Sequence, residues 1–174
     1  MPPQQTYLLD ANTFIEAHRR YYGFDICPGF WKSLVWLHGQ GSIQSVDRVH
    51  DELMNGQGVD ALKKWAKSVM PAAAFASTND PLVLEWFGKV QTWVQTNKQF
   101  LPAAKQEFAS CADGWLIAYA KAHDLILVTH EVLDPLIKKR VPIPNVCKAF
   151  DVVYTDTFEV LRQCGIKLEW DSAS

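Results

Sequence analysis

Short apolar runs alternate with amphipathic helical patterns along this chain, and that alternation limits the folds it can adopt. The first run, "YLL" in "TYLLDANTFIE", leads directly into apolar residues at helical spacing, and "LILVT" (125–129) lies between two further helical patterns. Strands separated by helices are typically parallel, because the chain must cross back before it forms the next strand. The pattern therefore predicts an α/β fold whose central, mostly parallel sheet is flanked by helices.

The sequence predicts three strands and a longer series of helices. We expect the strands at residues 6–9, 125–129 and 150–154, with "NVCKAF" leading into the last. The expected helices cover residues 12–20, 31–37, 46–54, 59–69 and 81–97, then "ADGWLIAYA" from residue 112, and a capped closing helix that ends at Gly165.

Length and composition favour one globular domain, residues 1–174. Hydrophobic residues make up 48% of the chain, and the four cysteines form no CxxC pair, so neither a zinc site of ordinary spacing nor a disulfide framework is indicated. We find no signal-peptide pattern and no apolar run long enough to span a membrane, and we expect a cytoplasmic protein. The net charge of −2 means that nucleic-acid binding would need a local basic patch.

Four acids stand where the predicted elements would bring them together. Asp10 follows the first strand, Glu131 follows "LVT", and Asp113 begins a helix that leads into "LILVT". Glu52 lies beside the apolar stripe of the 46–54 helix. Because the carboxyl ends of parallel strands share one edge, these side chains could converge there. An all-oxygen cluster suits Mg²⁺ or Mn²⁺, the ions used in phosphodiester hydrolysis.

Each acid taken alone also fits a structural role. Asp10 and Asp113 could be helix caps or first-turn acids, Glu52 could lie on a solvated helix face, and Glu131 could be a loop acid. Asp51 competes with Glu52 for the same position, although Glu52 lies nearer the apolar stripe. The metal-site hypothesis therefore depends on the four acids together.

Four segments in this order resemble the motifs of the PIN-domain ribonuclease family, in particular its VapC-type toxins: "YLLDANTFIEA", "VHDEL", "CADGWLIAYA" and "LILVTHE". The first places an acid after an apolar strand, the second an acid within a helix, and the third an acid at a helix start. The fourth places Glu131 two residues after "LVT", where PIN domains usually carry Asp. The segments span most of the chain. The chain also resembles an uncharacterised bacterial subgroup of PIN-like proteins.

The resemblance implies a PIN-like three-layer fold with a helical clamp insertion at residues 56–100, used for dimerisation and antitoxin binding. It implies a metal-dependent endoribonuclease with Mg²⁺ or Mn²⁺ held by the four acids, an RNA substrate, an antitoxin partner and a homodimer. It further implies that Asn12 orients Asp10 or a bound water, and that Thr129 helps to position the acids without binding the metal itself. A turn residue and a strand hydroxyl are the plain alternatives for these two positions.

Cations and aromatic residues near the acids could bind RNA, although a solvated face is the better explanation of each cation cluster and loop packing explains the aromatic residues equally well. The candidate cations are Arg19, Arg20, Lys63, Lys67, Lys138, Lys139 and Arg140, and the candidate stacking residues are Tyr21, Tyr22 and Trp31. The sequence thus supports two hypotheses from different classes. One is a PIN-type RNase toxin, and the other is a PIN-like binding or regulatory module with weak catalysis, which the Glu131 departure motivates.

Overall fold

A parallel sheet forms the centre of the computed structural model, which describes residues 5–170. Within that range the strand order is β3-β2-β1-β4-β5, and every neighbouring pair is parallel. The strands are β1 (Tyr7–Leu9), β2 (Ile43–Val46), β3 (Phe75–Ala76), β4 (Ile126–Val128) and β5 (Tyr154–Thr155).

Helices flank this sheet. In chain order they are α1 (Ala11–Glu16), α2 (Pro28–Gly39), α3 (Asp47–Asn55), α4 (Asp60–Ser68), α5 (Pro81–Thr96), α6 (Pro102–Ser110), α7 (Asp113–His123), α8 (Ile143–Ala149) and α9 (Thr157–Gln163). A π-helical turn, Ala17–Tyr21, continues α1. Within residues 5–170, no helix is both long and apolar enough to cross a membrane.

Strand β1 lies at the centre of the sheet and is buried along its whole length. Tyr7 aligns with Ile43 of β2 on one side and with Ile126 of β4 on the other. Helices cover both faces of a parallel sheet, so the side chains of a central strand are buried on both faces. This explains why the sequence of β1 is an uninterrupted apolar run. Its carboxyl end therefore lies in the middle of one sheet edge.

Among the elements of residues 5–170, helices α5 and α7 make the most extensive contact with each other. Phe87 stacks on Trp115 with ring centroids 3.6 Å apart, and Leu116 and Ile117 of α7 are fully buried. Gly114 permits this approach, because a Cβ at that position would lie 2.7 Å from Gln91 Nε2 and within 3.3 Å of two aromatic rings. This packing fixes the start of α7, and Asp113 with it.

The predicted α/β fold with a parallel central sheet is confirmed. Two strands were missed: β2, whose last residue Val46 we assigned to the following helix, and β3, which has only two residues. The last strand begins at Tyr154 rather than at residue 150, because "IPNVCKA" forms α8. Residues 56–100 are mostly helical, as α4 and α5, but they also contribute β3 to the sheet edge.

Candidate active site

The carboxyl ends of β1, β2 and β4 deliver the predicted acids to one edge of the sheet. Asp10 is the residue immediately after β1, and Glu131 lies three residues after β4 ends. Helix α3 follows β2 directly and carries Glu52, whose carboxylate lies near the backbone N–H of Ala112. Asp113 comes next in the chain, so Glu52 of α3 lies near the start of α7.

Asp10 is almost completely buried, with only 1% of its surface exposed. Its Oδ1 caps α1 by accepting hydrogen bonds from the backbone N–H and the hydroxyl of Thr13, at 2.6 and 2.8 Å. Its Oδ2 is buried and has no hydrogen-bond partner among residues 5–170. A carboxylate oxygen left in this state is costly unless a proton or a cation occupies it.

Burial and, to a smaller extent, the negative charge of Glu131 raise the pKa of Asp10 to about 6. The bonds from Thr13 oppose this change, as does the nearby hydroxyl of Thr129, although that hydroxyl makes no hydrogen bond of ordinary geometry with Oδ2. Desolvation thus outweighs the hydrogen bonds, and the carboxyl group holds its proton into the range near neutrality.

Asp113 is the acid most strongly affected by the others. Burial and, after it, the charges of Glu131, Asp10 and Glu52 together raise its pKa to about 8. The pKa of Glu52 is also raised, chiefly by burial, while the nearby backbone N–H of Ala112 lowers it. A buried acid whose pKa is raised by neighbouring carboxylates is typical of a site that binds a cation.

Glu131 differs from the other three acids because both of its oxygens are already hydrogen-bonded. Arg140 Nη2 donates to Oε1 at 2.5 Å, and the backbone N–H of Ile143 donates to Oε2 at 2.7 Å. The Glu131 side chain is 12% exposed, whereas that of Arg140 is 58% exposed. The guanidinium therefore covers the carboxylate on its solvent side.

A narrow cleft of about 150 Å³ is lined by three of the predicted acids, Glu52, Asp113 and Glu131, whereas the buried Asp10 does not line it. Its lining residues are Asn12, Glu52, Ala104, Glu107, Phe108, Cys111, Asp113, Glu131, Arg140 and Val141. Glu107 is an acid that the sequence analysis did not select, because the spacing of Ala104 and Phe108 along α6 was not recognised as a helix. Asp51, the competitor of Glu52, is exposed and lies outside this cleft.

The donor set fits a hard cation only in part. The orphan Oδ2 of Asp10 and the surrounding carboxylates are the ligand types that Mg²⁺ and Mn²⁺ prefer. Yet within residues 5–170, no three His, Cys, Asp or Glu side chains stand in positions that could share one ion. Within residues 5–170 the acids thus lie at one edge of the sheet without forming a complete metal centre.

The other predicted site residues have clear positions. Asn12 is exposed and lines the cleft, while Thr129 is buried, lies close to Asp10 and accepts a hydrogen bond from the backbone N–H of Glu131 at 3.2 Å. Arg140 is the cation that lines the cleft. The remaining candidate cations do not line it: Arg19, Arg20, Lys63, Lys67, Lys138 and Lys139.

Two of the three predicted stacking residues are structural instead. Trp31 is 3% exposed, and its indole N–H donates to the Tyr22 carbonyl at 2.6 Å. Tyr22 stacks on Phe30 with centroids 4.2 Å apart. Tyr21 alone remains available, with about half of its surface exposed.

A five-stranded parallel sheet with helices on its faces and acids at the carboxyl edge defines the α/β fold of this chain. Two solved structures share this fold. The chain matches FitAcB from Neisseria gonorrhoeae with a TM-score of 0.51 and 18% identity, over 86% of this chain and 96% of that one. It matches VapBC2 from Rickettsia felis, solved bound to a DNA fragment from their promoter, with a TM-score of 0.52 and 12% identity, over 87% and 98%. The predicted PIN-like, VapC-type resemblance is thereby confirmed at the level of the fold.

The sequence profile of one family, described as a domain of unknown function (DUF4411), matches residues 7–168, and the chain belongs to that family. No curated protein matches the chain.

Proposed function

We propose that this protein is a metal-dependent endoribonuclease and the toxin half of a toxin–antitoxin pair. The observation that supports this most directly is the buried, unpartnered Oδ2 of Asp10 beside three further acids at one sheet edge. PIN-domain nucleases generally use divalent metal ions, and the fold is that of the solved structures FitAcB and VapBC2. The antitoxin, the homodimer and a clamp role for residues 56–100 are parts of the same proposal.

In this proposal Asp10, Glu52, Asp113 and Glu131 would hold Mg²⁺ or Mn²⁺. The bound ion would supply an activated water for in-line attack on phosphorus and would stabilise the leaving oxygen. Thr13 fixes Asp10 through Oδ1 and leaves Oδ2 without a hydrogen-bond partner, so Oδ2 would be the oxygen that binds the ion. Glu131 would become more available if Arg140 exchanged its carboxylate for a phosphate of the substrate.

The second candidate function is a PIN-like binding or regulatory module with weak or no catalysis. The pairing of Glu131 with Arg140 and Ile143 favours it, because a carboxylate that already bonds a guanidinium and a backbone N–H is a weaker ligand for a metal ion. Thermal unfolding with millimolar Mn²⁺ separates the two candidates. A module without a metal site would show no stabilisation and would cleave no RNA.

The decisive experiment compares Glu52→Gln with its neighbour Asp51→Asn. Glu52 lines the cleft, whereas Asp51 is exposed outside it. Both substitutions remove one negative charge at neighbouring positions of α3, so the variants differ mainly in whether that charge lines the cleft. We expect Glu52→Gln, like Asp10→Asn and Asp113→Asn, to reduce Mn²⁺-dependent RNA cleavage by at least about a hundredfold. Asp51→Asn should retain nearly full activity.

Asn at position 10 can still accept the capping bonds from Thr13, so circular dichroism should show that Asp10→Asn keeps the fold. Full cleavage by Asp10→Asn and Asp113→Asn would rule out the assignment of these acids. Loss of activity in Asp51→Asn alone would place the site on the other side of α3.

A further inference from the structure

A second cavity, of about 520 Å³, lies beside the acidic cleft between α3 and the start of α7. Glu52 and Cys111 line both the cavity and the cleft, so the two spaces adjoin. The volume of the cavity falls within the range of small-molecule sites, about 300 to 1,000 Å³. Arg48 and Trp115 also line it, and neither residue has a part in the proposed chemistry. We call this space the Arg48 cavity.

Two contacts hold the Arg48 guanidinium in place. Its Cζ lies 4.6 Å from the centroid of the Trp115 ring, and its Nε donates a hydrogen bond to the Thr78 hydroxyl at 3.3 Å. Both neighbours are themselves fixed, because Thr78 is buried and Trp115 stacks on Phe87. A side chain that its neighbours already hold loses little conformational entropy when it binds a ligand.

The same guanidinium keeps donors available for a ligand. Among residues 5–170, neither Nη1 nor Nη2 of Arg48 makes a hydrogen bond, and the side chain is 47% exposed. Asp47 approaches Nε only at 4.0 Å, and its carboxylate already accepts bonds from the backbone N–H groups of Arg48 and Thr78 and from the Thr78 hydroxyl. Arg48 thus offers a positive charge and two free donor groups, an arrangement that suits a phosphate.

Arg48 lies close to the acids along both helices that border the cavity. On α3 it precedes Glu52 by four residues, which is about 6 Å along the helix axis. On α7 its ring partner Trp115 follows Asp113 by two residues. This separation is close to the span of one nucleotide. A phosphate at Arg48 would therefore be the neighbour of a phosphate at the acids.

We propose that Arg48 binds the substrate phosphate next to the one that is cleaved, on the α3 side of the acids. The substrate would then cross the cleft with Arg140 on one side and Arg48 on the other. This inference rests on the proposed nuclease function and adds a requirement for the substrate. A linkage is cleaved efficiently only where a charged phosphate neighbours it on the Arg48 side, because that contact supplies binding energy away from the reacting atoms.

Binding is tested in the Asp113→Asn background, so that cleavage does not interfere. Fluorescence polarisation with single-stranded RNA at several salt concentrations compares Arg48→Gln and Arg48→Lys with the parent. We expect Arg48→Gln to weaken binding about tenfold. It should also reduce the steepness of log K against log salt by about 0.7, the value for one phosphate contact. Arg48→Lys should recover the slope but only part of the affinity, because an ammonium group makes no bidentate contact.

Cleavage kinetics without the Asp113 substitution locate the contact on the substrate. Arg48→Gln should raise KM and leave kcat nearly unchanged, because the contact is present before and during the reaction. The second substrate carries one uncharged methylphosphonate linkage next to the mapped cleavage site. We expect the wild type to lose about tenfold in kcat/KM for this change on one side of the site only. Arg48→Gln should lose nothing further there, since the two changes remove the same contact.

The matched control is Lys121→Gln. Lys121 also lies over an indole ring, with its Nζ 5.5 Å from the centroid of Trp86, and it lines neither the cleft nor the Arg48 cavity. It loses the same charge and the same kind of ring contact. Its RNA affinity, salt dependence and KM should match those of the parent.

Unchanged affinity and salt dependence in Arg48→Gln would overturn the proposal. So would weaker binding with an unchanged salt slope and a lower melting temperature, since Arg48 would then only hold α3 against Thr78 and Trp115. If the wild type cleaves RNA and Arg48→Gln matches its KM, the phosphate site fails and the nuclease function stands. If the wild type cleaves nothing while Arg48→Gln lowers the salt slope, the phosphate site stands and the nuclease function fails.

Discussion

Arg140 is the residue expected to affect metal binding at the acidic cleft most strongly, apart from the acids themselves. Its guanidinium bonds to Glu131 and places a positive charge next to the carboxylates that would bind a metal. We expect Arg140→Gln to tighten Mn²⁺ binding about threefold to tenfold, because about 1 kcal/mol of repulsion is removed. RNA affinity should fall, since a phosphate contact is lost. Calorimetric titration with Mn²⁺ and RNA-binding measurements check the two effects separately.

The control for this variant is Arg162→Gln. Arg162 forms a comparable exposed pair with Glu159 on α9, at 3.5 Å, and it does not line the cleft. Exposed pairs contribute about 0 to 1 kcal/mol to stability, so both variants should remain folded. If Arg140→Gln weakened Mn²⁺ binding, Arg140 would be supporting the site rather than competing for Glu131.

At the scale of single residues, the sequence located the acids but not their partners. The positions of Asp10 and Asp113 follow from strand ends and a helix start, which are visible in the apolar pattern. The Arg140–Glu131 pair is not visible there, because the two residues lie nine apart in a loop without periodicity.

At the scale of elements, two helical glycines provide a matched test of the packing that sets the start of α7. A Cβ on Gly114 would meet Gln91 Nε2 at 2.7 Å and the rings of Phe87 and Phe108 at 3.2 and 3.3 Å. Crowding of this kind costs about 1 to 3 kcal/mol, more than the gain of about 1 kcal/mol from replacing a helical glycine. We therefore expect Gly114→Ala to lower the free energy of unfolding.

Gly88 is the control, because it lies in the interior of α5 and a Cβ added there would meet no heavy atom within 4 Å. Gly88→Ala should raise the free energy of unfolding by about 0.5 to 1 kcal/mol. Urea denaturation measures both variants. Stabilisation by Gly114→Ala would show that Gln91 and the two rings move aside without cost, and that α7 is less tightly fixed than its contacts indicate.

The elements that the sequence missed share a physical cause. A strand is recognisable when it is long enough to show alternation or a continuous apolar run, and β3 has two residues. Strand β2 runs straight into α3, so its last apolar residue, Val46, also fits the helical stripe. The central strands β1 and β4 were recognisable because burial on both faces removes polar residues from them.

At the scale of the whole molecule, the buried acids should make stability depend on pH in an unusual direction. The pKa values of Asp10 and Asp113 are about 6 and about 8 in the folded protein, above the ordinary 3.8. Between about pH 4 and pH 8 the folded state therefore holds protons that the unfolded chain has released. Folding is favoured at the acidic end, and stability falls as pH rises through those two values.

Mn²⁺ should oppose this loss, because it binds the ionised carboxylates and replaces their protons. Urea denaturation at about pH 5 and about pH 8.5, with EDTA or with Mn²⁺, measures both effects. We expect the metal-free protein to be less stable at the higher pH and the stabilisation by Mn²⁺ to be larger there. Asp113→Asn cannot titrate, so it should flatten the metal-free pH dependence and reduce the response to Mn²⁺. Metal-free stability that rises with pH would mean that the acids are ionised without a cation, and the cleft would then have no need of one.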